Sequence, residues 1–193
     1  MSGEGRVLRR THAPRWFQAA GNFLNPMSTA IENTPSAKSF NSSVPPAMRG
    51  LIPHLVCANT QDAIAFYQRA FDATEQMRLP TPDGRVMHAM VEIGGASVML
   101  ADEFPQCGSA SPHKLGGTAV TLHLNVDDAD ALVDRAVAAG AKLILPVQDM
   151  FWGDRYGVIE DPAGHRWSIA THVRDLSPEQ IAEAAKEMCG GAL

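Results

Sequence analysis

The chain has 193 residues, 45% of them hydrophobic and 19% charged, with a formal net charge of -5 at pH 7. That profile fits one ordinary globular domain, or two small modules sharing a core, and excludes a multidomain machine. The acidic balance argues against a nucleic-acid or anionic-membrane partner, either of which calls for a basic stripe, and no apolar run approaches the roughly 18 residues of a membrane span.

Cys57, Cys107 and Cys189 are odd in number, far apart and form no C-x-x-C pair. A disulfide framework and a thiolate zinc site are therefore not expected, and a reducing cytoplasm is the expected location.

Residues 1–50 carry no apolar period. Arg6, Arg9, Arg10 and Arg15 stand against Glu4 near the start, and a Ser, Asn, Thr, Pro and Ala-rich stretch follows. The segment reads as a structureless extension, with Met27 as an alternative start, or as a transit peptide; without an apolar core it is no secretory signal.

From Leu51 the pattern becomes regular. Residues 51–58 read as a strand with Leu51, Leu55 and Cys57 on one face and Ile52, His54 and Val56 on the other. Asn59 or Thr60 then caps a helix in which Ala63, Ile64, Phe66, Tyr67, Ala70 and Phe71 recur at helical spacing. Three strands follow, over 74–80, 85–93 and 96–102, with turns at Pro82-Asp83-Gly84 and Gly94-Gly95. A polar stretch rich in Ser, Gly and Pro interrupts as a linker.

The order then repeats. Residues 118–126 alternate Val120, Leu122, Leu124 and Val126 against Thr121, His123 and Asn125. Asp127 and Asp128 stand where a cap belongs, and a helix closes at Gly140. Strands over 141–147, 154–160 and 165–172 follow, the last two joined by a turn at Asp161-Pro162-Ala163-Gly164. A capping box at Ser177 to Gln180 opens a final helix ending near Met188. The division expected is an extension over 1–50, a first βαβββ module over 51–103, a linker over 104–116, a second module over 117–173, and a C-terminal helix and tail over 174–193.

Two such modules predict an α+β fold in which helices cover one sheet face and the open faces curve into a shared half-barrel. His54 and His123 occupy equivalent open-face positions, so both imidazoles are expected to aim into one cup as proton carriers or ligand-orienting groups. Their bland reading is a pair of hydrogen-bonded histidines in a polar core. His88 shares the phase of Met90 and Glu92 and reads as a strand histidine near the seam. Trp152 and Arg155, beside Phe151 and Tyr156, offer a stacking surface and a carboxylate partner, or else Asp154 and Arg155 pin a turn. Arg166 shares the phase of Ser168. Cys57 reads as a buried small residue, and Glu183 and Lys186 as solvated charges.

The segments AIAFYQRAF (63–71), MLADEFP (99–105), LGGTAVTLHLNVDD (115–128), WGDRYG (152–157) and DPAGHRWSIATHV (161–173) resemble the vicinal oxygen chelate superfamily of glyoxalase and bleomycin-resistance proteins, in particular its PhnB-like branch. The resemblance implies a small-molecule ligand and a homodimer. It places the four metal-ligand positions of metal-dependent members at Ile52, Met99, Thr121 and Ser168, none of which suits a catalytic divalent ion. Moving two residues along each strand recruits His54 and His123 but also Ala101 and Ala170. No metal or cofactor is therefore expected. A metal-independent lyase or isomerase using His54 or His123 is one reading, and a drug-sequestering binding protein is the other. The ligand-pocket residues expected beside the two histidines are Ile52, His88, Met99, Thr121, Asn125, Trp152, Arg155, Arg166 and Ser168.

Overall fold

The computed structural model describes residue 45 and residues 48–190, with side chains described as far as residue 187. The first-module elements are β1 (His54–Cys57), α1 (Thr60–Phe71), β2 (Thr74–Pro80), β3 (Val86–Ile93) and β4 (Ala96–Asp102). A 3-10 turn at Pro105–Cys107 and a short α2 (Pro112–Leu115) lead to β5 (Thr121–Asn125), α3 (Ala129–Ala138), β6 (Lys142–Asp149), β7 (Asp154–Glu160) and β8 (Arg166–His172). The final helix is α4 (Pro178–Gly190).

The strands form two four-stranded sheets, ordered β1-β4-β3-β2 and β5-β8-β7-β6. In each, the first strand lies parallel to the last and the other pairings are antiparallel. The fold is α+β, two βαβββ modules with open sheets.

The repeat extends to the caps. Asn59 precedes α1 at φ -145° and ψ 100° and accepts from the Asp62 amide; Asp128 precedes α3 at φ -144° and ψ 97° and accepts from the Ala131 amide. Such caps satisfy amides that a helix start leaves unpaired and contribute about 1 kcal/mol each. Gly94 and Gly95, both at positive φ, make the tight β3–β4 hairpin, a conformation that residues with a Cβ rarely adopt.

One continuous core joins the helix-facing sides of both modules, running from Leu55, Ile64, Phe66, Tyr67 and Leu100 to Val133, Ile159, Trp167 and Ile169. Tyr67 and Phe71 of α1 pack on Trp167 of β8, with ring centroids 5.5 and 4.8 Å apart. Arg135 of α3 donates through Nε to the Ala70 carbonyl at 2.8 Å and pairs with Asp72 at 2.7 Å, closing the end of α1.

Two strand-face expectations need correction. β1 starts only at His54, because Pro53 lacks an amide for the ladder, so Leu51 does not reach the core and is 97% exposed. Val120 likewise precedes its strand and is 65% exposed. The polar linker is partly built in: Ser111 and Pro112 are buried, and the Ser111 amide donates to Glu103 at 2.7 Å. The expected tail lies outside the described residues, apart from residue 45 and residues 48–50.

Candidate functional site

A cavity of about 790 Å³ lies between the β1 side of the first sheet and the β5 side of the second. Ile52, His54 and Val56 line one wall, and Thr121, His123 and Leu124 line the other. His165 and Trp167 contribute from the start of β8, and Leu115 and residues 117–120 from the linker.

His123 is bonded at both ring nitrogens. Its Nδ1 lies 2.8 Å from Ser168 Oγ and its Nε2 lies 3.1 Å from Asn125 Oδ1. Nε2 donates to the Asn125 carbonyl oxygen, and Nδ1 hydrogen-bonds the Ser168 hydroxyl, which also lies 3.5 Å from the Leu122 carbonyl. The register makes this possible, since His123 is the cross-strand neighbour of Ser168 and Asn125 is two residues further along the same face. Tyr156 of β7 stacks beside the ring at 6.3 Å, and Trp152 meets Tyr156 edge-on at 5.5 Å. The Trp152 indole N–H donates to Asp154 Oδ2 at 2.9 Å, which fixes the end of this aromatic row. His123 thus belongs both to the cavity wall and to a row running outward across the second sheet.

His54 sits in a different setting. It neighbours Met99 across the β1–β4 ladder and meets His88 of β3 edge-to-face, with centroids 5.8 Å apart. Burial, and then the neighbouring His88, push its pKa below the usual histidine value. It is therefore neutral at pH 7 and able to accept a proton or a ligand hydrogen.

The two arginines lie apart from this group. Arg155 points to the helix side of β7, where its guanidinium grips Asp130 at 2.6 and 2.7 Å and reaches Asp149 at 2.9 Å. These bonds raise its pKa further and pin α3 to the sheet. Arg166 is exposed near Glu160 at 3.7 Å. Cys57 is fully buried and its thiol is pushed up to about 12 by burial and then by Asp161 and Asp102. It is no nucleophile at neutral pH.

Sequence reasoning missed His165 and Trp167 as cavity residues. Both depend on Asp161, which does more than turn the chain. One carboxylate oxygen accepts from Tyr67 Oη at 2.7 Å and Trp167 Nε1 at 2.8 Å, and the other accepts the amides of Ala163 and His165, each at 2.9 Å. The Asp161-Pro162-Ala163-Gly164 motif was the signal, but its reach to Tyr67 was invisible. His165 Nε2 donates to the Val56 carbonyl at 3.2 Å, bridging the two modules, and burial lowers its pKa despite Asp161.

The sequence profile of the Glyoxalase/Bleomycin resistance protein/Dioxygenase superfamily matches residues 51–169. The chain belongs to that superfamily. It is 48% identical over 144 residues to an uncharacterized protein of Mycobacterium tuberculosis, covering 73% of this chain and 85% of the other. It is 31% identical over 140 residues to the protein YjdN of Escherichia coli, covering 62% and 92%. Among solved structures, TioX from Micromonospora superposes with a TM-score of 0.51 at 29% identity, covering 64% of this chain and 100% of that one. A gene product of Arabidopsis thaliana superposes at 0.51 and 28% identity, covering 63% and 97%.

For this superfamily member, the positions that resemblance assigns to a divalent ion do not fit one. Ile52 has no donor atom, Met99 offers a thioether, Thr121 a neutral hydroxyl, and the Ser168 hydroxyl is spent on His123. Among the described residues no group of three or more His, Cys, Asp or Glu side chains is gathered closely enough to hold a metal. No described helix is long and apolar enough to cross a membrane.

Proposed function

We propose that this chain binds a planar aromatic small molecule in the cavity and along the Trp152–Tyr156–His123 row, without a divalent metal, and holds it rather than transforming it. The observation that carries this reading is the state of His123. Both its ring nitrogens are engaged inside the protein by Ser168 and Asn125, and it stacks with Tyr156. A ring fixed in this way orients and stacks, whereas a proton carrier needs a free nitrogen facing substrate. An aromatic contact adds about 0.5–1.5 kcal/mol beyond area burial.

Calorimetric titration with a panel of planar aromatic compounds tests the reading. Stoichiometric binding that returns the ligand unchanged, weakened about tenfold in Tyr156→Ala, is expected. Saturable binding indifferent to Tyr156→Ala, or no binding across the panel, would overturn it.

One observation favours a second reading, a metal-independent lyase or isomerase. His54 also lines the cavity, makes no hydrogen bond through its ring among the described residues, and is held neutral. Turnover lost in His54→Ala while binding survives would select it.

The chain is proposed to work as a homodimer in the cytoplasm. Exposed Met77 and Leu79 on the open face of the first sheet give a second copy apolar surface to cover. Cys57 and Cys107 are free thiols, as a reducing compartment keeps them.

A further inference from the structure

We propose that the open face of the first sheet carries a binding site for a soft monovalent ion, Cu(I), built from His54, His88, Met99 and Met90. The superfamily's four metal positions are divided between two sheets; this set lies on one sheet and shares only Met99 with them.

The placement follows from the ladder. β1, β4 and β3 lie side by side, with His54 opposite Met99 and Met99 opposite Met90. Side chains on one face alternate, so His88 shares the face of Met90 two residues along β3. The register Ala89 to Leu100 puts His88 opposite Ala101. Ala101 is small, and over it the two imidazoles lean together from strands that flank β4, until their centroids are 5.8 Å apart. Directly opposed residues on neighbouring strands have Cβ atoms about 5 Å apart, so both thioethers are within reach of the gap between the rings.

The histidines are also unclaimed. Among the described residues, His113, His123, His165 and His172 each spend ring nitrogens on hydrogen bonds. Among the described residues His54 and His88 make only their mutual edge-to-face contact. The two rings thus border one gap over Ala101, flanked along the same sheet face by Met99 and Met90. Met90 is nearly buried, His88 and Met99 are half-buried, and His54 is exposed, giving an apolar floor entered from the β1 edge, across the sheet from Met77 and Leu79 of β2.

The donor types select the ion. Thioether sulfur and imidazole nitrogen suit Cu(I), whereas calcium, magnesium and manganese call for oxygen ligands, and zinc calls for at least three imidazole, thiolate or carboxylate ligands where this set has two imidazoles. On this strand face Glu92 lies two residues beyond Met90 toward the far end of β3, in register with Thr74 and Ser97.

The test is an anaerobic titration of the reduced full chain with Cu(I) held by bicinchoninate, whose colour reports the copper withdrawn. His88→Gln and Met99→Leu are the informative variants, because neither residue lines the cavity proposed for the organic ligand, so failure here is separate from failure there. The wild type is expected to take one equivalent more than the His88→Gln variant. Met99→Leu, close to isosteric and checked for folding by circular dichroism, is expected to weaken that equivalent at least tenfold. Equal copper uptake by wild type and His88→Gln would place the copper elsewhere on the chain and overturn the proposal. So would a histidine-dependent site that Met99→Leu leaves unchanged, or one that takes Zn(II) equally well.

Discussion

Replacing Tyr67 with Phe removes one hydroxyl from the most heavily bonded buried carboxylate of the fold. Tyr67 is fully buried, and its O–H donates to Asp161 at 2.7 Å across 94 residues of sequence. Hydrogen bonds to charged groups contribute about 1.5–3 kcal/mol. Three other donors remain on Asp161 in Tyr67→Phe, from Trp167, Ala163 and His165, so the loss is expected near the lower end, about 2 kcal/mol.

Asp161→Ala takes away the acceptor instead. It strands the Tyr67 hydroxyl and Trp167 indole N–H in the core and frees the turn that sets His165, so a cost of about 4 kcal/mol or more follows from two unsatisfied buried donors plus the lost bonds. Urea unfolding at pH 7 measures both. Because Trp167 and His165 line the cavity, Tyr67→Phe should also weaken binding of any cavity ligand modestly while leaving Trp152 fluorescence unchanged. A Tyr67→Phe variant within 0.5 kcal/mol of the parent, a bound chosen well below the roughly 1.5 kcal/mol minimum for such a bond, would refute the view that Asp161 holds the two modules together.

Other outcomes follow from named contacts. Alkylation of the native chain at pH 8 should label Cys107, which is exposed, and spare Cys57, whose thiol is pushed up to about 12; peptide mass mapping reads both, and rapid Cys57 labelling would contradict its burial. Histidine resonances should titrate in opposite directions from the free value near 6.5, His54 below it and His172 above it, the latter because Asp175 and Asp154 bond both its ring nitrogens. The linkage has matching signs: the His172 clasp contributes stability fully below the unfolded value and loses it as pH rises through the raised one, while His54 costs stability as pH falls below its unfolded value. His172→Gln should therefore flatten the decline in Tm as pH rises above about 6.5. Gly153→Ala should destabilise by about 1–3 kcal/mol, since Gly153 is at φ 104° and an added Cβ would meet the Arg174 carbonyl; Tm measurement detects it.

The duplicated βαβββ order, both helix caps, the Gly94-Gly95 hairpin and the faces of His54 and His123 were legible in the sequence, because each depends on residues within a few positions of one another. Local spacing also offered Arg155 two jobs, ligand partner or structural pin, and favoured the second without naming its partner. The choice rests on Asp130, which α3 swings over the helix side of β7.

What the sequence by itself determined is which residues share a strand face or a helix stripe, since period and capping are written along the chain. Only the tertiary structure decided which faces meet: Tyr67 on Asp161, His165 on the carbonyl of Val56, 109 residues away, and His54 against His88 over Ala101. Alternation reports a side chain's direction but not its neighbour two strands across, and that neighbour is set by register and by the packing of one module on the other.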